Sequence, residues 1–203
     1  MRRSFFSAII ALMALALTGP ALAALPVGAT APTFTAPASL AGKTFSFSLR
    51  QALAKGPVVV YFYPAAYTRG CDLEAHTFAS HHQQFDQAGA TIIGVSADSI
   101  ERLDRFSADP DYCAGKFAVA SDPKGAIAAD YGLTMTAARS DVTDVRGDKV
   151  THGFLPRTTF VLDRNGKVVA RFSSKDDHLS PVEHVTRSLA IVQQLQAKSP
   201  KAD

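Results

Sequence analysis

Two apolar rhythms alternate along this chain, and their order predicts its architecture. Unbroken runs of β-branched and aromatic residues occur at 57–63 (PVVVYFY) and 90–97 (ATIIGVSA), with a shorter one in KFAVASD at 116–122. Runs without polar alternation suit strands buried on both faces. Between them the apolar positions recur every three or four residues. Ala75, Phe78, His82 and Phe85 mark one face of a helix from about Thr68 to Ala88, closed by Gly89. Ile100, Leu103 and Phe106 mark a second helix, capped by Asp98 or Ser99. Val182, Val185, Leu189, Val192 and Leu195 mark a last one from Pro181 to about Ala197, with Ser180 as its cap.

The remaining segments are shorter. The lead-in through Pro26, Pro32 and Pro37 reads as extended and turn-rich, followed by a short strand near Thr44–Phe47. SLRQALAKG gives a brief helix with Ser48 as its cap and Gly56 beyond its end. AIAADYG, introduced by Asp122-Pro-Lys-Gly, gives another. RTTFVLDRNGKVVARFS at 157–173 predicts a hairpin around Asp163 to Gly166. Residues 133–156 have no clear period and read as a polar excursion. Strands and helices alternate first, and a hairpin and a helix close the order. That succession predicts an α/β, thioredoxin-like three-layer sandwich, a mixed sheet flanked by helices. There is no internal repeat or linker, so 24–203 is expected to form one domain.

Composition changes this picture at the N-terminus. Arg2 and Arg3, the uncharged apolar stretch Phe5–Leu17 and the small residues Ala21 and Ala23 follow the order of a secretory signal peptide, removed near Ala23. The apolar stretch is 13 residues long, whereas a membrane span needs roughly 20. Export to a periplasmic or extracellular space, without stable membrane association afterwards, is the expectation. The full chain carries a net charge of +3, and without the two leader arginines it is nearly neutral. No basic cluster or aromatic-basic stripe points to nucleic acid. Two cysteines allow a single intramolecular bridge in an oxidising compartment.

One of them, Cys71, sits in PAAYTRGC, where a buried strand ends at Pro64 and a helix begins. In open α/β sheets, sites gather at the carboxyl ends of strands. Thr68 and Cys71 are three apart and share a face in the first helical turn. Unpaired backbone N–H groups and the positive end of the helix dipole meet there, which biases a thiol toward thiolate. The plainer alternative is that Cys71 is a small core residue.

The same residues carry a resemblance. PAAYTRGC is similar to the Pro-x-x-x-Thr-x-x-Cys signature of peroxiredoxins, with Pro64, Thr68 and Cys71 at the matching places and Glu74 three residues on. VGATAPTFTAP, SDPKGAIAADYGL and PRTTFVLDRNGKV resemble three further family segments in the family's order, closest to its Q-type, or bacterioferritin-comigratory, branch. The resemblance implies that Cys71 is a peroxidatic thiolate attacking a hydroperoxide and passing to sulfenic acid. It implies that Arg157 lowers the Cys71 pKa and stabilises charge as the O–O bond lengthens. Thr68 would orient thiolate and peroxide, Pro64 would shield the sulfur, and Glu74 would orient an arginine or the loop. It implies a thioredoxin-like or other thiol reductant, no cofactor and a monomer.

Two departures limit what is carried over. Arg69 stands where many members have Pro, as added positive potential or a solvated charge. His76 stands five residues after Cys71, where many Q-type members have their resolving cysteine. That leaves Cys113, in DPDYCAGKF near the end of the third helix, as the resolving thiol that the resemblance implies. A static structural bridge and an inert buried thiol are the alternatives. So is a one-cysteine enzyme reduced directly by an outside thiol. A metal-binding or metallochaperone module using Cys71 with His76, His81 and His82 is a reading from another class, although His76 and His81 do not share a helical face well. A Cys-x-x-Cys oxidoreductase is disfavoured, since position 74 is Glu.

Overall fold

The computed structural model describes residues 23–198. The expected signal peptide lies outside the described residues but for Ala23, as do the last five residues of the chain.

Seven strands form one sheet: β1 (Thr35–Leu40), β2 (Lys43–Ser48), β3 (Val58–Phe62), β4 (Thr91–Ser96), β5 (Ala118–Ser121), β6 (Thr158–Leu162) and β7 (Val168–Ser173). Their spatial order is β2-β1-β5-β4-β3-β6-β7. β3, β4 and β5 run parallel at the centre, and every residue of β3 is buried, as its unbroken apolar run requires. The other pairs are antiparallel, including the 157–173 hairpin. Among the described residues, five helices cover the sheet: α1 (Leu49–Leu53), α2 (Arg69–Gln87), α3 (Ile100–Ala108), α4 (Ala126–Asp130) and α5 (Pro181–Lys198).

Alternation along β3 assigns the two faces. Val59, Tyr61 and Tyr63 join a core with Phe78 and Phe85 of α2, Leu103 and Phe106 of α3, and Val185 and Val192 of α5. Val58, Val60 and Phe62 join the opposite core with Leu49 and Leu53 of α1 and Ala128 of α4. The result is the three-layer arrangement predicted from the element order. Gly94 interrupts the otherwise β-branched centre of β4 because the Tyr61 ring lies over it. A Cβ there would stand 2.6 Å from Tyr61 Cζ.

The lead-in departs from its expectation, since 35–40 is a strand. Pro37 is tolerated because β1 pairs with β5 only at Ala38 and Ser39, so the missing N–H falls outside that pairing. Ser99, with Oγ accepting from Arg102 N, caps α3, and Asp98 is used elsewhere. α3 stops at Ala108, so Cys113 lies in the turns after the helix rather than on it.

Candidate active site

The register of the sheet explains how residues 71 and 157 meet. β3 and β6 are antiparallel, with Phe62 opposite Thr158. The carboxyl end of β3 therefore abuts the beginning of β6, and Arg157 immediately precedes it. The chain leaving β3 turns through Pro64 to Thr68 and enters α2, whose third residue is Cys71. Thr68 is the N-cap, but its hydroxyl donates backwards to Ala65 O at 2.8 Å instead of capping the helix. Gly70 keeps the approach open: a Cβ on it would lie 3.1 Å from Arg157 Nη2.

Arg157 Nη2 donates to Cys71 Sγ at 3.2 Å, and Nη1 donates to Glu74 Oε2. Cys71 is 2% exposed, and Glu74 is completely buried. This burial corrects the expectation of a lowered thiol pKa. Burial pushes Cys71 up and outweighs the downward pull of Arg157, the Ala65 backbone and Thr68, while Glu74 pushes it up further. The helix terminus brings positive potential, but the closed pocket removes the water that would stabilise a thiolate. Arg157 itself stays charged. Burial acts against its proton, and Cys71 and Glu74 together hold its pKa above the usual range.

A second group of charges holds the loop from behind, and sequence reasoning missed it. Asp98, buried at the end of β4, accepts from Ala66 N at 2.8 Å and Ser96 Oγ at 2.7 Å. Arg102 Nη2 donates to Ala66 O at 2.8 Å and to Asp144 Oδ2 at 2.7 Å, and its Nε lies 2.9 Å from Asp98 Oδ1. The N–H and the carbonyl of Ala66 are thus each held by an ionic side chain, buried Asp98 and half-buried Arg102. Tyr67 takes a left-handed φ of 60°, a costly conformation for a residue with a side chain. Val145 N donates to Tyr67 O at 2.9 Å, and the Arg146 guanidinium lies over the Tyr67 ring at 3.3 Å. The aperiodic segment 133–156 is therefore the clamp on the Cys71 loop. His152 joins it through Asp98 Oδ1 at 2.9 Å; burial acts against its proton, but Asp98 raises its pKa overall. The one available signal was Asp98 itself, an acid at the carboxyl end of a central strand.

The other singled-out residues separate. Pro64 is half-buried at the start of the loop, and Arg69 is exposed. Cys113 is a free, fully buried thiol in the same core cluster as Cys71. Burial, Asp109 and Asp72 push it well above the ordinary thiol range. The turn that carries it is tied to α2 by His76 Nδ1 and Asp111 O, 3.0 Å apart. His81 contacts Thr77 O, and His82 pairs with Asp86. These histidines diverge, and among the described residues no group of three or more His, Cys, Asp or Glu side chains is arranged to hold a metal.

The chain matches the family model for the AhpC/TSA family over residues 27–171. It is 33% identical over 140 residues to chloroplastic peroxiredoxin Q of Sedum lineare, covering 68% of this chain and 64% of that protein. It has the same identity to the Suaeda salsa protein of that name, of which it spans 56%. Among solved structures, peroxidoxin BcpB of Mycobacterium tuberculosis superposes with a TM-score of 0.68 and 28% identity, covering 83% of this chain and 97% of that one. The bacterioferritin comigratory protein of Xanthomonas campestris, a protein with alkyl peroxide reduction activity, gives 0.60 and 29%, covering 79% and 91%.

Proposed function

The chain belongs to the AhpC/TSA family, and from that membership and the Cys71 pocket we propose that it is a thiol-dependent peroxidase acting on hydrogen peroxide and organic hydroperoxides. The observation that carries this reading is the 3.2 Å contact between Arg157 Nη2 and Cys71 Sγ. The alkyl peroxide reduction of the Xanthomonas relative supports it.

In this reading the Cys71 thiolate attacks the outer peroxide oxygen in line with the O–O bond. An S–O bond forms, the O–O bond breaks, and the second oxygen leaves as alkoxide or hydroxide and takes up a proton. Arg157, charged at every working pH, stabilises the negative charge as it passes from sulfur to the leaving oxygen. Thr68 orients the two reactants, and half-buried Pro64 restricts water at the sulfur. Cys71 is left as sulfenic acid, two electrons more oxidised.

Cys113 then gives up its proton and attacks that sulfur as a thiolate, a disulfide forms, the S–O bond breaks, and the hydroxide that leaves takes up a proton to become water. Burial keeps Cys113 protonated in the closed fold, so the turns around it open before it reacts. A thioredoxin-like or other thiol donor returns the two electrons. Residues 1–23 direct export, the support being their charged, apolar and small-residue order. The protein works as a monomer in the periplasm or outside the cell.

Peroxide consumption by wild type and Cys71→Ser, with a small thiol as reductant, tests the assignment. Loss of turnover by at least a thousandfold in Cys71→Ser is expected, and retained turnover would remove Cys71 from the chemistry. Mass spectrometry after peroxide treatment tests the second half. A Cys71–Cys113 bridge is expected, and sulfenic or sulfinic Cys71 with an untouched Cys113 would instead mean direct reduction by the external thiol.

A further inference from the structure

The two halves of the proposed cycle make opposite demands on one pocket. Peroxide attack needs Cys71 closed against Arg157, 3.2 Å away. In that closed fold Cys71 and Cys113 are both buried and unbridged. The segments that carry them therefore shift before an S–S bond of about 2 Å can close.

Two aromatic rings join those segments. Tyr67 stands four residues before Cys71, and Tyr112 stands one before Cys113. The rings meet edge to face, with centroids 5.4 Å apart and planes at 86°. Tyr112 also stacks on Phe106 of α3 at 5.4 Å and 24°, and Phe106 meets Tyr67 edge to face at 5.1 Å. The three rings close a triangle. Tyr67 is buried within it, whereas Tyr112 is half-buried and reaches the surface.

Backbone strain lies at both ends of this contact. Tyr67 has a φ of 60°, and Ala114, the residue after Cys113, has a φ of 51°. Left-handed residues with side chains keep that conformation only while their surroundings over-determine it. The Cys113 turn is held by Ala114 N donating to Asp109 O and Gly115 N donating to Ser107 O, both at 2.8 Å, and by the His76 contact. Tyr67 is held by Val145, by Arg146 and by the rings of Phe106 and Tyr112. Tyr112 is the group that belongs to both sets, since its backbone lies in the turn and its ring lies on the loop.

We propose that Tyr112 is a positioning residue whose ring latches the Cys113 turn to the Cys71 loop, so that the two open together and the strength of the latch sets how much sulfenic acid becomes disulfide. The proposal rests on the reading of Cys71 as the peroxidatic and Cys113 as the resolving thiol. Two reactions draw on the Cys71 sulfenic acid. In the closed pocket its sulfur attacks a second hydroperoxide: an S–O bond forms, the O–O bond breaks, and the leaving oxygen takes the proton. The products are sulfinic acid and an alcohol or water. In the open form Cys113 displaces the hydroxyl instead, giving the disulfide and water. A weaker latch favours the second reaction.

The test treats the reduced full chain with graded hydrogen peroxide and reads the ratio of Cys71–Cys113 disulfide to sulfinic Cys71 by peptide mass spectrometry. Both products form from one sulfenic acid, so the ratio does not depend on how fast peroxide first attacks. Tyr112→Leu, which keeps apolar bulk but loses the ring, is expected to raise the ratio about tenfold, the scale of two lost ring contacts. Tyr112→Phe keeps the ring and is expected to match wild type. In a Tyr67→Leu background, Tyr112→Leu is expected to change the ratio less than it does in wild type, because its edge-to-face partner is gone. Tyr112→Met repeats the comparison should Tyr112→Leu fail to fold. Hydrogen exchange of the reduced chain reads the latch without peroxide: in Tyr112→Leu, residues 109–116 and 64–70 should both exchange faster. An unchanged or lowered ratio, Tyr112→Phe behaving as Tyr112→Leu, an equal gain in the Tyr67→Leu background, or faster exchange in 109–116 alone overturns the proposal. A wild type that forms no Cys71–Cys113 bridge would remove the resolving role and the proposal with it, and that outcome is distinct because it shows before any substitution is made.

Discussion

At the scale of single residues, the pocket depends on how closely one guanidinium approaches one sulfur. Nothing in the side chain of Cys71 makes it reactive, and its burial works against ionisation. The contact with Arg157 is the compensating term, and Gly70 leaves the space for it. Gly70→Ala would put a methyl group 3.1 Å from Arg157 Nη2. Because this glycine lies within a helix, the substitution favours α2 itself by roughly 0.5–1 kcal/mol while displacing the arginine. We expect thermal stability to be retained and the rate constant for peroxide reduction to fall by about tenfold or more. Stopped-flow reduction of hydrogen peroxide alongside thermal unfolding would check this; an unchanged rate would mean that Arg157 has slack.

Among elements, the segment between α4 and β6 has the least regular sequence and a specific structural task. Asp144 and Arg146 reach back to Arg102 and Tyr67, and so fix the loop between β3 and α2. Arg102→Met leaves Asp98 and Asp144 buried without their shared cation, a loss of about 3–5 kcal/mol by analogy with other broken buried pairs. Urea unfolding should register that loss, and limited proteolysis should show earlier cutting within 139–149. A variant as stable and as resistant as wild type would contradict the clamp. None of this was legible in the sequence. An arginine on a helix and an aspartate in a polar stretch read as solvated charges until the fold places them around one peptide. Thr68, Cys71 and Glu74, by contrast, were legible because they lie within two turns of one helix, where spacing alone assigns their neighbours.

For the molecule as a whole, buried acids give stability an uncommon pH dependence. Asp72 and Glu74 are both raised to about 7, burial being the largest cause in each. A carboxyl whose folded pKa lies above its unfolded value stabilises the fold in its protonated form. That contribution is complete below the unfolded pKa of about 4 and is lost as pH rises through about 7. The raised His152 acts with the same sign. Two groups act oppositely. Asp144, which burial raises but its backbone and Arg102 partners hold low, does so only at more acidic pH. His184, pushed down to about 4 by burial, does so between about pH 4 and 6.5, where it offsets part of the effect of the two carboxyls. Urea midpoints should therefore fall between about pH 5 and about pH 8, and Glu74→Gln should flatten part of that fall. A wild-type midpoint that rises over this range would refute the assignment.

The sequence by itself determined the layers and singled out Cys71 as the candidate nucleophile. Period-two and period-three-to-four patterns are local, and unbroken apolar runs state which strands lie at the centre of the sheet. The helix start at Thr68 to Cys71 is likewise written within a few residues. Tertiary structure alone decided that residue 157 reaches residue 71, that an aperiodic excursion grips the loop, and that a histidine on the final helix lies beside Glu74. Those contacts join positions about 80 to 110 residues apart through the register of β3 against β6 and the packing of α5 on α2. Tertiary structure also reversed the direction in which Cys71 is shifted, because desolvation depends on everything packed around an atom and a linear pattern carries no measure of it.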